Sequence, residues 1–226
     1  MCSRYVSPDD AAIEREFNLI RSPGLEVRAN YNVAPTLTVP VVRSIDGVRQ
    51  ASMMRWGLIP FFAKGVPGTY GTHIARAETI DTKRSYRGPW KYGRRCIVPV
   101  AGFYEWQVLS DGKSKQPFHI RAADQDVYGL AGIWDASKRD DGSIIESFAV
   151  ITVSANPLMA EIHNGREDPC MPLMLRREDY ETWLTGTVQE AQAMLKPYPS
   201  EWMTAWPVSA RVNKVGNNDA ELLARV

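Results

Sequence analysis

Cys2 directly follows the initiator Met1, and a side chain that small lets an aminopeptidase remove the methionine. The mature chain would then begin with a cysteine carrying a free α-amine and a thiol on one carbon skeleton. The amine titrates near ~8 and the thiol near ~8.5, so neutral amine and thiolate coexist around neutral pH. Such a 1,2-aminothiol condenses with an aldehyde. The amine forms an imine, and the thiol then closes a five-membered thiazolidine ring. Taken alone, Cys2 is more often an inert residue at a frayed terminus. The rest of the chain has to decide.

Two further residues are suited to moving protons. Glu105 stands in Gly102-Phe103-Tyr104-Glu105-Trp106, a carboxylate among three aromatics on an expected strand. That setting suits a proton shuttle, although a surface glutamate at a strand end has the same spacing. His163, in Glu161-Ile162-His163-Asn164-Gly165, falls at an expected helix end beside glycine. From there its imidazole can face a cleft or serve as a satisfied structural histidine. His73 and His119 have no supporting context, and three singly scattered histidines give no metal-site spacing.

The segment Lys83–Arg95 (KRSYRGPWKYGRR) holds six basic residues and no acid, with Tyr86, Trp90 and Tyr92 interleaved. Cations neutralise phosphates and aromatic faces accept unstacked bases, which suits single-stranded nucleic acid. The alternative is a solvated basic loop whose aromatics cover the core. Arg4, Arg55 and Arg76 add cations near the other segments.

The elements that must position these groups are legible in outline. Ser7-Pro8-Asp9-Asp10 opens a helix whose apolar face carries Ile13, Phe17 and Ile20. Thr38–Ser44 and Val48–Trp56 flank Asp46-Gly47 as a hairpin. Arg94–Val100, Phe103–Val108, Pro117–Arg121, Tyr128–Trp134 and Phe148–Val153 read as further strands. Asn156-Pro157 opens a short helix carrying Leu158, Met159 and Ile162; helices over Arg177–Leu184 and Thr187–Leu195 follow. Central strands with marginal helices predict one α+β domain over residues 1–226, built on a coiled, barrel-like, mostly antiparallel sheet.

Bulk composition narrows the class. At 226 residues, 44% hydrophobic and 23% charged, the chain is an ordinary globular protein able to bury a core without staples. No apolar run approaches a membrane span, and MCSRYVSPDD has no secretory h-region, so a cytoplasmic location is expected. Three cysteines without a CxxC pair argue against a disulfide framework or structural zinc. A net charge of +1 means that any anionic partner must be read from local patches.

Taken together, these segments resemble the SRAP family, the SOS-response-associated abasic-site-processing proteins. The likeness runs through Met1-Cys2-Ser3-Arg4, Tyr31–Thr36, Met54–Pro60, Ala75–Thr79, Arg95–Pro99, Gly102–Trp106, Leu130–Trp134, Thr152–Asn156, Ile162–Asn164 and Met171-Pro172. The resemblance implies a sensor of abasic sites in single-stranded DNA, whose Cys2 crosslinks covalently to the ring-opened sugar aldehyde and shields the lesion. It implies an acid/base role for Glu105 and a role in sugar-ring opening for His163. Arg4, Asn32, Trp56 and Arg76 would hold phosphate or sugar, with Arg84 and Arg87 as weaker contributors. No cofactor or metal is implied; the partner is single-stranded DNA with abasic sites, met at the nucleoid by a monomer. Two departures stand out. Ile74 replaces the family's usual asparagine, and Gly165 holds the spacing at which shorter members have arginine, with Arg166 next to it.

Two other functions fit some of these residues. An N-terminal-cysteine peptidase would use Cys2 with its own amine as base, or pair Cys96 or Cys170 with His163. Cys96 lies in an apolar strand pattern where an unreactive thiol is expected. A non-covalent single-strand binder would bind DNA in a salt-sensitive way without needing Cys2.

Overall fold

The computed structural model describes residues 3–19, 26–68 and 71–226. Cys2 and Ile20 lie outside them. The chain starts with β1 (Tyr5–Ser7), followed by helix α1 (Asp10–Phe17). The helix start differs from the expected one: Asp9, not Ser7, is the cap, and its side chain accepts from Ala12 N–H. Ser7 is instead drawn into β1, where it pairs with Asn30 of β2 (Asn30–Val33).

The Asp46-Gly47 hairpin forms as expected between β3 (Thr38–Ile45) and β4 (Val48–Trp56), with both turn residues at positive φ. Then come β5 (Ile74–Arg76), α2 (Arg87–Lys91), β6 (Arg95–Val100), β7 (Gly102–Val108), β8 (Lys115–Ala122), β9 (Tyr128–Lys138) and β10 (Ile144–Ser154). Helix α3 (Pro157–Ile162) is capped by Asn156, whose side chain accepts from Met159 N–H, and ends on His163. The chain finishes with β11 (Cys170–Pro172), β12 (Met174–Leu175), α4 (Tyr180–Thr185), α5 (Val188–Ala193) and β13 (Met203–Pro207). A Thr187–Glu190 capping box starts α5.

The expected α+β class with a coiled, mostly antiparallel sheet is what the chain adopts. One sheet runs β13-β8-β7-β1-β2. The other follows β10-β4-β3-β6-β9, and β9 pairs again with β10 over seven residue pairs, which closes five strands into a barrel. Val41, Met54, Cys96, Val98, Ala131, Ile133, Ala149 and Ile151 on these strands are fully buried. No described helix is long and apolar enough to cross a membrane.

The first sheet contains an ionisable residue without compensation. His119 is buried, lies against the Tyr104 and Trp206 rings, and neither ring nitrogen has a hydrogen-bond partner. A Cβ on Gly102 would stand 2.2 Å from its Nε2, so only glycine leaves room for the ring. Burial, helped by Arg121, lowers the His119 pKa to about 4. The folded state therefore resists a proton that the unfolded chain accepts near pH ~6.5. This contribution to stability is complete above that pH and is lost as the pH falls toward 4. We expect wild type to lose about 3 kcal/mol more than His119→Phe between neutral pH and pH 4. Thermal melts of each protein, referred to its own neutral-pH value, check this; parallel curves would refute it.

Candidate active site

Glu105 and His163 come from elements far apart in sequence. Glu105 lies on β7, 2% exposed, and His163 ends α3, 4% exposed. The α3 helix packs against β7, which brings His163 Nε2 to 3.9 Å from Glu105 Oε1. His163 Nδ1 lies 2.9 Å from the Cys170 carbonyl oxygen. The Cys170 N–H also approaches Nδ1 at 3.4 Å, and these backbone contacts turn Nε2 toward Glu105. Carboxylate and imidazole thus face each other at a separation that lets one small hydroxyl or water reach both. The pair closes the inner end of a cavity of about 300 Å³ that is also lined by Trp106, Val108, Lys115, Gly165 and Arg166.

The N-terminal strand leads to this point. β1 runs antiparallel to β7 with Tyr5 opposite Phe103, and the Arg4 carbonyl accepts from Tyr104 N–H at 3.0 Å. Arg4 is therefore fixed beside the residue that precedes Glu105. Its guanidinium donates to Asn32 Oδ1 and to the Val212 carbonyl, both at 2.8 Å. The buried Asn32 amide nitrogen lies within 3.2 Å of the Val212, Lys214 and Asn217 carbonyls. Arg4 and Asn32 are thus joined to each other and to the C-terminal segment.

Trp56 is buried, tilts against Tyr5, and gives its indole N–H to the His73 carbonyl at 2.9 Å. Arg76 is exposed on β5, where it pairs in register with Thr152 and approaches Glu78 at 3.4 Å. Ile74 lies two residues before it on the same strand face, and its carbonyl accepts from Tyr86 O–H at 2.8 Å.

Arg84 and Arg87 lie elsewhere. They line a separate cavity of about 1010 Å³ with Phe61, Phe62, Trp90 and Tyr92. The Arg84 guanidinium sits 4.4 Å from the Phe62 ring centre. The reading in which the aromatics of the basic segment cover the core holds for two of the three. Tyr86 and Trp90 are buried against the core, whereas Tyr92 is 73% exposed. The segment also forms a short helix, α2, which its sequence pattern does not signal.

Neither internal cysteine is set up as a nucleophile. Burial raises the pKa of the Cys96 thiol far above its ordinary value. The Cys170 thiol is also raised, by burial first and with Glu105 contributing, against Arg166 and Arg76. His163 engages the backbone of Cys170, not its sulfur. Among the described residues no cluster of histidine, cysteine, aspartate or glutamate could hold a metal. Sequence reasoning missed Lys115 altogether; a lone lysine at a strand start carries no signal until its hairpin register is known.

A model of the SOS response associated peptidase (SRAP) family matches residues 1–215. The abasic site processing protein YoqW of Bacillus subtilis is 34% identical over 99% of both chains. The abasic site processing protein HMCES of Pongo abelii is 32% identical over 87% of this chain and 65% of its own. A crystal structure from Bacteroides thetaiotaomicron superposes with a TM-score of 0.86 at 28% identity, covering all of both chains. One from Bordetella bronchiseptica gives 0.80 at 26%, covering 92% of this chain and 100% of its own.

Proposed function

This chain belongs to the SOS response associated peptidase (SRAP) family, and from that premise we propose that it processes abasic sites in single-stranded DNA by forming a covalent thiazolidine crosslink through Cys2. The observation that carries the proposal is the buried Glu105–His163 pair, 3.9 Å apart, at the end of a cavity beside the anchored N-terminal strand. Cys2 is two residues from Arg4, so its Cα stays within ~7 Å of a point beside Glu105. Removal of Met1 frees the amine. Tethering replaces a bimolecular encounter by a local one and raises the effective concentration of the nucleophile.

The chemistry balances with the groups at hand. The abasic sugar rests mainly as a cyclic hemiacetal. His163 Nε2 takes the C1′ hydroxyl proton while Glu105 delivers one to the ring oxygen, which opens the aldehyde. The Cys2 amine adds to C1′, passing one N–H proton to the Glu105 carboxylate as the His163 imidazolium protonates the alkoxide. Glu105 then protonates the hydroxyl, which leaves as water, and takes the remaining N–H proton to give the neutral imine. The thiol sulfur then adds to the imine carbon as its proton passes to the nitrogen, closing the ring without further loss. Ile74, being hydrocarbon, takes no part in this sequence, which needs no amide there.

Arg76, Arg84 and Arg87 are the exposed cations along which the flanking strand would run, with Phe62 and Tyr92 offering faces for unstacked bases. The hydrogen bonds described above hold Arg4 and Asn32 against the C-terminal segment and Trp56 against the His73 carbonyl. We expect Arg87→Gln to weaken single-strand binding alike for all sequences and to reduce the slope of log affinity against log salt by about 0.7. An unchanged slope would remove Arg87 from the DNA path.

The test of the proposal is incubation with an oligonucleotide carrying one abasic site, followed by denaturing electrophoresis. A shifted band that requires both the abasic site and Cys2 supports the crosslinker. DNA affinity that persists in Cys2→Ala, with no band in wild type, would favour the non-covalent binder. Turnover of a peptide without DNA would favour the peptidase.

A further inference from the structure

His73 is a titratable residue that the reaction above does not use. It stands just before β5, where its backbone carbonyl accepts twice. The Trp56 indole N–H donates at 2.9 Å and the Val150 N–H of β10 at 3.0 Å. The imidazole meets the Trp56 indole edge-on, with ring centres 5.9 Å apart. The same indole tilts against Tyr5 of β1, with centres 5.1 Å apart. One indole therefore links His73 to the strand that carries the N-terminus.

The ring is closely fitted on one edge and unpaired on another. A Cβ on Gly71 would stand 3.1 Å from both Cε1 and Nδ1. The other ring nitrogen, Nε2, is buried and has no hydrogen-bond partner. A buried unpaired nitrogen costs free energy that a partner arriving later recovers. Burial lowers the His73 pKa from its ordinary value, and the N-terminal ammonium adds to the effect. The ring is therefore neutral at neutral pH. That ammonium also acts on the Cys170 thiol of β11. Strands β5 and β11 flank β10, with Arg76 and Pro172 both paired to Thr152. The N-terminal charge is thus felt on both sides of β10.

Cys2 stands three residues before Tyr5, a reach of up to ~10 Å. Resting on the crosslinking reading above, we infer that His73 Nε2 accepts a hydrogen bond from the Cys2 α-amine and orients its lone pair toward C1′. Being uncharged, the imidazole adds no negative charge that would hold the amine as ammonium. Ile74, the next residue, has no polar group for this task. The contact fills the empty place on Nε2 and fixes the nucleophile before the aldehyde arrives.

The test follows single-turnover adduct formation at saturating abasic single-stranded DNA for wild type, His73→Phe and His73→Gln. The phenyl ring keeps the packing on Trp56 but accepts no hydrogen bond, whereas the Gln amide oxygen can replace Nε2 as acceptor. His73→Phe should react about 10-fold more slowly, and His73→Gln within about threefold of wild type. Affinity for DNA carrying a tetrahydrofuran residue, which has no aldehyde, should be unchanged in both. Condensation with propanal in the absence of DNA should rank the three proteins in the same order, because it needs the amine but no opening of a sugar. A Phe variant within about twofold of wild type, or a Gln variant as slow as Phe, would overturn the contact. If wild type gives no adduct with abasic DNA while propanal separates the variants as expected, the crosslinking reading falls and the contact stands. An abasic adduct that forms equally fast in all three removes the contact alone.

Discussion

Glu105→Gln is expected to slow adduct formation by about 10²–10⁴-fold, with single-strand affinity and melting temperature near those of wild type. The amide fills the same space on β7 and can still donate and accept hydrogen bonds, but it cannot exchange a proton. Glu105 is 2% exposed and faces His163 at 3.9 Å, so bulk water is poorly placed to take over the transfer. Single-turnover rates at saturating DNA isolate the chemical step from binding. A Gln variant that reacts within about threefold of wild type would remove Glu105 from the proton path. A collapsed melting temperature would show that its role is structural, and this is why the isosteric change is preferred to alanine.

Cys2→Ser is expected to abolish the stable adduct while leaving a trappable one. The serine keeps the α-amine, so condensation with the aldehyde still yields an imine. Its hydroxyl is a far weaker nucleophile than a thiolate near neutral pH, and the ring does not hold closed. Denaturation in water should therefore return free protein and free DNA. Borohydride present during the reaction should fix the imine as a secondary amine and restore a crosslinked band. A Ser variant whose adduct survives denaturation without borohydride would contradict the thiazolidine.

The fold was legible where local rules dominate. The Asp46-Gly47 turn fixed a hairpin, alternation marked β6 to β10, and Asn156-Pro157 marked the start of α3. The helix start slipped from Ser7 to Asp9 because Ser7 belongs to β1, a three-residue strand held by pairing on both edges. Nothing local distinguishes such a strand from coil, and β2, β5, β11, β12 and β13 went unread for the same reason. The candidate site was legible as residue types. Glu105 among aromatics is buried, and His163 at a helix end does face a cleft. Their approach depends on α3 docking on β7, a tertiary contact that no sequence spacing encodes. The same limit applies to Asn32 and Trp56: position along a strand was clear, but not which carbonyls would take their N–H groups. Arg84 and Arg87, the weaker candidates for holding phosphate or sugar, line a different cavity from the one that ends on Glu105 and His163.

The central claim is that residue 2 closes a thiazolidine on the abasic aldehyde, and intact-mass spectrometry tests it most directly. The protein is weighed alone, and again after incubation with a single-stranded oligonucleotide bearing one abasic site, with and without borohydride. The account predicts a starting mass lacking Met1, and an adduct equal to protein plus DNA less one water. That adduct should be unchanged by borohydride, because a closed ring has no imine to reduce. An adduct that gains two hydrogens with borohydride, or none at all from a protein that begins at Cys2, would contradict it.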